Sequence, residues 1–184
     1  MILRAESCVL RPWTVSDLDS LVEHANNRKV WLQLRDRLPH PYTQADGNAW
    51  IALAMSEVPI TNLAIECDGQ AVGSIGLVLQ NDIETGTAEV GYWLGEAYWG
   101  RGIVTKALCT FSYWAFHEFS LRRLFAGVMA TNLASRRVLE KVGFQLEGVH
   151  RQHVIKAGVV KDQAYYGLLR NELITQQVSG STAA

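Results

Sequence analysis

One stretch constrains this chain more than any other: Glu89-Val90-Gly91-Tyr92-Trp93-Leu94-Gly95-Glu96-Ala97-Tyr98-Trp99-Gly100-Arg101-Gly102-Ile103-Val104-Thr105-Lys106-Ala107. It reads as a strand, a glycine-bearing turn and a helix start. Ala88 to Leu94 is β-like, and Ile103, Ala107, Phe111 and Trp114 recur at helical spacing. The first N–H groups of a helix have no acceptor within it, and together with the helix dipole they form an anion site. Gly100 and Gly102 would let a phosphate come close to the main chain, and Arg101 and Lys106 add positive charge. Two known phosphate loops fail here. Gly95 to Gly100 has the Walker spacing, but Arg101-Gly102 stands where Lys-[Ser/Thr] would touch phosphate and magnesium. Gly100-x-Gly102 opens a dinucleotide fingerprint, yet Thr105 occupies the third glycine position. The residues leave two readings open: phosphate or pyrophosphate at a helix start, or a glycine-rich helix entry with no ligand.

The rest of the chain sets the frame for that turn. With 184 residues, 48% hydrophobic and 19% charged, it can build one core, so disorder is excluded. One domain is expected over residues 1–174, followed by a small, polar tail at 175–184. Lys+Arg number 17 against Asp+Glu 18, which removes the electrostatic case for a nucleic-acid or anionic-membrane binder. Cys8, Cys67 and Cys109 are odd in number and widely spaced, which suggests reduced thiols and no thiolate metal site. No apolar run approaches the roughly 20 residues of a spanning helix. A cytoplasmic protein is expected, monomeric or homodimeric, without nucleic acid or membrane as partner.

Cys8 to Trp13 reads as a first strand. Ser16 is the expected N-cap of a helix with Leu18, Leu21, Val22 and Ala25 on its apolar face. A second helix starts at Thr43, with Asp46 closing a capping box and Trp50, Leu53 and Ala54 as its stripe. Leu63 to Cys67 and Ala71 to Leu79 flank Asp68-Gly69, a hairpin signal. After the glycine turn and its helix, Leu124 to Ala130 is β-like. Asn132 then opens a helix with Ala134, Val138, Leu139 and Val142 inward, and Gly143 ends it. Gln145 to Ile155 and Val159 to Leu169 flank Ala157-Gly158. The order β-α-α-β-β-β-α-β-α-β-β predicts an α/β (α+β) fold: a mixed, mostly antiparallel sheet with helices on both faces.

Tyr98-Trp99-Gly100-Arg101-Gly102-Ile103-Val104-Thr105-Lys106-Ala107 resembles the acetyl-coenzyme A signature of the GNAT N-acetyltransferase superfamily, [Gln/Arg]-x-x-Gly-x-[Gly/Ala]. Trp99 and Val104 depart from it at its first and last positions. Trp99 is similar to the branch that acetylates ribosomal-protein N-termini at alanine or serine. Leu10-Arg11-Pro12, Thr131-Asn132-x-x-Ser135, Leu139-Glu140, Gly143-Phe144, Glu147-Gly148, Gly158, Asp162 and Tyr166 extend the resemblance over residues 8–170. It implies acetyl-CoA as co-substrate and no metal. Trp93 and Leu94 would pair with the acetyl-pantetheine arm through their backbone. Trp99, Gly100, Arg101, Gly102, Ile103, Val104 and Thr105 would form the pyrophosphate turn, and Asn132 would contact the arm. A primary amine would attack the thioester directly, most simply a peptide or protein N-terminus. A small amine such as a polyamine, amino acid or antibiotic is the alternative acceptor, and a silent acyl-CoA sensor the alternative protein.

The resemblance makes Ser135 a candidate donor to the departing thiolate and Glu89 a base acting through water. The competing readings are a serine serving the helix backbone and a structural carboxylate. Many members of the superfamily place a tyrosine, as general acid, where this chain has Leu139, so the resemblance does not carry that role over. Trp31, Arg35, Trp50, Tyr92 and His153 are the expected acceptor-side residues, against core packing for the tryptophans and a solvated loop for Arg35-Asp36-Arg37. His150 and His153, three apart on a strand, are expected on opposite faces. Asp162 and Tyr166, four apart, are expected on one face.

Overall fold

The computed structural model describes residues 1–173; the predicted tail at 175–184 lies outside them. Eight strands hydrogen-bond in the order β1-β2-β3-β4-β5-β6-β8-β7. Their ranges are β1 Leu3–Ala5, β2 Cys8–Arg11, β3 Asn62–Cys67, β4 Gln70–Leu79, β5 Thr87–Leu94, β6 Arg123–Met129, β7 Gln145–Lys156 and β8 Val159–Leu169. The helices are α1 Leu18–Ala25, α2 Arg28–Trp31, α3 Gln44–Ser56, α4 Ile103–Glu118 and α5 Leu133–Val142. This is the mixed, mostly antiparallel sheet with flanking helices that the sequence predicts. The chain groups into two compact units, Met1–Leu77 with Gly91–Phe111, and Val78–Val90 with the described residues from Ser112 onward.

In the first unit β1 to β4 pair antiparallel in chain order. The β3–β4 turn holds Asp68 at φ 51° and Gly69 at φ 78°, as its sequence predicts. Trp13, Leu21, Ala25, Tyr42, Ile51, Ala54, Ala64 and Ala71 form a buried cluster, with Trp50 and Trp93 packed against it. Three expectations need correction here. The chain opens with β1, a three-residue strand that exists only through its ladder to β2. Ser16 is not the cap: Thr14 and Asp17 close a capping box around a 3-10 turn, Val15–Asp17, and α1 follows from Leu18. The apolar face of α3 is Gly47, Ile51 and Ala54, while Leu53 is exposed. The Thr43–Asp46 capping box is present as expected.

Asp17 is fixed by Arg11, whose guanidinium forks onto both carboxylate oxygens at 2.8 and 2.7 Å, and by the Thr14 N–H at 2.8 Å. Burial pushes the Asp17 carboxyl up. The Arg11 fork and the Thr14 donors outweigh it and leave the group below the usual carboxylate range. Arg11 also pairs with Glu66 on β3. This network ties the entry of α1 to the sheet.

In the second unit β6 lies parallel to β5 and antiparallel to β8, which pairs with β7. The α5 helix buries Leu139 and Val142 and ends on Gly143 at φ 103°, as predicted, but Ala134 is exposed. The register of β7 slips twice against β8, between Leu146 and Gly148 and between His150 and Val154. The second slip sets Arg151, Gln152 and His153 outside the ladder, opposite Asp162 alone.

Candidate active site

The glycine turn has the geometry its residues suggest. Gly100 and Gly102 stand at φ 75° and 76°, a left-handed backbone that glycine adopts without strain, and a Cβ on either would meet nothing within 4 Å. The Gly102 carbonyl accepts the Lys106 N–H at 3.2 Å, so Gly102 is the N-cap and the N–H groups of Ile103, Val104 and Thr105 have no acceptor within the helix. Open space over two glycines at a helix start fits a pyrophosphate held by main-chain donors. The side-chain charges are partly engaged. Arg101 donates to the Ala97 carbonyl at 2.8 Å and lies 5.1 Å from the Tyr98 ring centre. Lys106 pairs with Glu6, which raises its ammonium pKa. The Trp99 indole N–H donates to the Leu94 carbonyl at 2.7 Å, closing the loop across its base. A cavity of about 210 Å³ lined by Ser7, Cys67, Asp68, Tyr98, Arg101 and Ile103 flanks the turn.

Along the strand that leads into the turn Ala88, Val90 and Leu94 are buried, Gly91 is exposed, and Glu89, Tyr92 and Trp93 are half-buried, with Trp93 packed against the core cluster of the first unit. The parallel register with β6 runs from Thr87↔Arg123 to Glu89↔Phe125 and stops there, five residues before β5 ends. The Trp93 carbonyl abuts β4, where a Cβ at Gly73 would stand 2.3 Å from it, and the Gly95 N–H donates to Val72 at 2.8 Å. By strand alternation the Leu94 peptide faces the opposite edge of β5.

At the start of α5, Asn132 is the N-cap: its Oδ1 accepts the Ser135 N–H at 3.1 Å. Its amide group therefore keeps two donor hydrogens beyond the cap. Ser135 is half-buried and Leu139 fully buried, so the position expected to hold a tyrosine in many relatives is core in this chain. Asp162 and Tyr166 serve the fold. Asp162 accepts the Gln152 N–H at 2.7 Å inside the β7 bulge. Tyr166 is buried, accepting from Arg136 Nε at 2.9 Å and donating to Glu140 at 2.8 Å.

The two histidines of β7 do not fall on opposite faces. Their ring centres lie 4.9 Å apart, and His150 tilts against Tyr165 at 4.3 Å. The reason is the bulge: Gln152 adopts φ 51°, and the strand's period of two is lost across it. Among the acceptor-side candidates, Trp31 ends α2 and stacks on His40 at 5.6 Å. Arg35 lies exposed in the loop after α2. Trp50 meets Trp13 edge-on at 6.5 Å against the core cluster. Sequence reasoning missed His24 and Asn27. Their signals were a buried-face histidine in α1 and an Asn just before a helix too short to show periodicity.

The match to known proteins is decisive. The family model for the acetyltransferase (GNAT) domain matches residues 8–145. The chain belongs to the GNAT acetyltransferase family. A Bacillus subtilis (strain 168) protein named Probable N-acetyltransferase YjcK is 40% identical over 104 residues, 55% of this chain and 56% of that one, so the chain spans about half the length of this relative. The ribosomal-protein-serine acetyltransferase of Escherichia coli (strain K12) is 38% identical over 80 residues, 42% of this chain and 45% of that protein. The spermidine N(1)-acetyltransferase of the same organism is 27% identical over 150 residues, 78% and 76% of the two chains. Among solved structures, the RimL ribosomal L7/L12 alpha-N-protein acetyltransferase in complex with coenzyme A has the same fold, with a TM-score of 0.81 at 22% identity over 92% of this chain and 98% of that one.

Proposed function

We propose that this GNAT family member transfers the acetyl group of acetyl-CoA to the α-amine of a peptide or protein N-terminus. The observation that carries the cofactor half is the start of α4, with two left-handed glycines, open space above them and main-chain donors at Ile103, Val104 and Thr105. In this reading Arg101 and the main chain from Gly100 to Thr105 hold the pyrophosphate, Trp99 braces that turn through its bond to the Leu94 carbonyl, and the Leu94 N–H on the β5 edge and the Asn132 amide offer donors to the arm. Ser135 donates to the departing thiolate, and Glu89 takes the proton through water. Trp31, Arg35, Trp50, Tyr92 and His153 line the acceptor's path.

Proton energetics favour the α-amine. Only a neutral amine attacks a thioester. At pH 7 deprotonation costs a lysine side chain about 4.6 kcal/mol and an α-amine about 1.1 kcal/mol, from pKa values near 10.4 and 7.8. Leu139 fills the position of a tyrosine acid, and an enzyme with that proton chemistry suits the easier amine. The names of relatives point both ways, to ribosomal proteins and to spermidine. A side-by-side assay of N-terminally free peptides, N-blocked lysine peptides and polyamines at pH 7 to 9 separates them. The expected result is the highest kcat/KM for the free peptides. A clear preference for spermidine or blocked lysine peptides would overturn the α-amine while leaving acetyl transfer in place.

A further inference from the structure

Besides its own local bonds, the loop from Gly95 to Gly102 is held by side chains from outside the turn. His24, on α1, is buried, and a Cβ at Gly95 would stand 2.9 Å from its Nδ1, so the loop backbone rests directly on the imidazole. The Tyr98 ring meets His24 edge-on at 5.5 Å. Glu96 reaches back to the segment after α1: it pairs with Lys29, and its Oε2 accepts the Asn27 Nδ2 at 2.9 Å. Both contacts hold the Glu96 carboxyl below its ordinary range, the Lys29 ammonium most and the Asn27 amide next.

Asn27 has a second task. Its Oδ1 accepts the Lys29 N–H at 2.8 Å and the Val30 N–H at 3.3 Å, capping α2, the short helix that carries Trp31. The orientation of the amide is fixed by chemistry. Backbone N–H groups only donate and a carboxylate only accepts, so the oxygen must face α2 and the nitrogen Glu96. Asp, Ser or Thr would cap α2 as well as Asn does. Asp has no hydrogen left to donate to a carboxylate, and a Ser or Thr hydroxyl, which can accept and donate at once, does both from one short-armed atom, whereas the Asn amide divides the two tasks between two atoms facing opposite partners. The residue type is therefore explained by the two tasks together and by neither alone.

We infer that Asn27 is a positioning residue for the cofactor turn: one side chain joins the cap of the Trp31 helix to Glu96, and thereby sets the loop Gly95–Gly102 from the acceptor side. The inference rests on reading that loop as the pyrophosphate turn. An acceptor that orders α2 then orders the turn as well, so acetyl-CoA and acceptor bind more tightly together than apart.

The test is a polarity swap. Asn27→Asp keeps the cap but sets two carboxylates face to face. Adding Glu96→Gln then restores the bond with its direction reversed, the introduced amide on the loop donating to the introduced carboxylate at the cap. CoA affinity by calorimetry is expected to fall roughly 3- to 30-fold in Asn27→Asp and to return to within about twofold of wild type when Glu96→Gln is combined with it, while the thermal midpoints of wild type and both variants stay close. Lys29→Gln, which removes only an exposed ion pair, should change affinity less than about twofold. Amide hydrogen exchange over residues 95–105 reads the same strut without ligand, and should quicken in the single variant and recover in the double. Unchanged exchange and affinity in Asn27→Asp, or no recovery in the double variant, would overturn the positioning role. A wild-type chain that binds no CoA would overturn the pyrophosphate reading, and exchange alone would then decide whether Asn27 holds the loop.

Discussion

Helices α4 and α5 begin in opposite ways. At α5 the chain closes its own end: Asn132 turns its carbonyl oxygen onto the Ser135 N–H, the ordinary solution for orphan donors. At α4 the N-cap is Gly102, which has no side chain to offer, and the preceding Gly100 removes another that could have folded over the donors. The same backbone problem is solved by a side chain in one place and left open in the other, where the proposed pyrophosphate would sit. Under that proposal the chemistry at α4 resides in main-chain N–H groups and is sensitive to added bulk. At α5 the proposed chemistry resides in side chains, the Asn132 amide and the Ser135 hydroxyl, and is sensitive to their removal.

The contrast can be broken most forcefully at Gly102. Gly102→Val puts a β-branched side chain into a left-handed position and into the space over the donors. In folded protein, acetyl-CoA affinity should fall by on the order of 2–4 kcal/mol, as measured by calorimetry. Affinity near wild type would mean that no phosphate sits there. At α5 the larger effect should come from Ser135→Ala. If the hydroxyl serves the departing thiolate, kcat drops roughly 10- to 1000-fold with KM for acetyl-CoA nearly unchanged. An unaltered kcat, with chemistry rate-limiting, would return Ser135 to the helix backbone. The smallest effect sharpens the comparison best. Asn132→Asp preserves the cap and exchanges the amide donors for a carboxylate, which a helix start tolerates, so unfolding stability should stay within about 0.5 kcal/mol of wild type. CoA affinity should weaken by about 0.5–1.5 kcal/mol, one neutral hydrogen bond. Equal losses in stability and affinity would show that the residue only caps.

Local signals were legible in the sequence and cooperative ones were not. The Thr43–Asp46 box, the Asp68-Gly69 turn, Gly143 as a helix end and the glycine turn each depend on a few neighbouring residues, and each stands where its residues place it. Strand β1 is three residues whose only support is its partner β2, and α2 is four residues held by one cap. Neither has the length to show a period. Ser16 loses the cap to Thr14 because Asp17 is claimed by Arg11, a residue on β2 that local reading does not connect to it. At the candidate site the left-handed glycines and the helix start after them could be read in advance. The engagement of Lys106 by Glu6 and the hold of His24 and Asn27 on the loop arise from tertiary contacts, and that of Arg101 by Ala97 from the fold of the turn itself.

The bulge in β7 has a consequence for how this strand can change in length. Between His150 and Val154 the strand takes four steps where β8, from Gln163 to Lys161, takes two. The surplus is an even number, so His150 and Val154 remain on the same side of the sheet, as their partners do. Growth by pairs is silent to the core, because each flanking segment keeps its inward and outward residues. A change of one residue in Arg151–His153 would keep Lys156 buried and Ile155 exposed only with a different backbone solution, of the kind the strand already uses where two steps from Leu146 to Gly148 face one from Tyr166 to Tyr165. Growth in twos needs no such rebuilding, which leaves this loop-like interruption open to variation in size while the ladder on either side stays fixed.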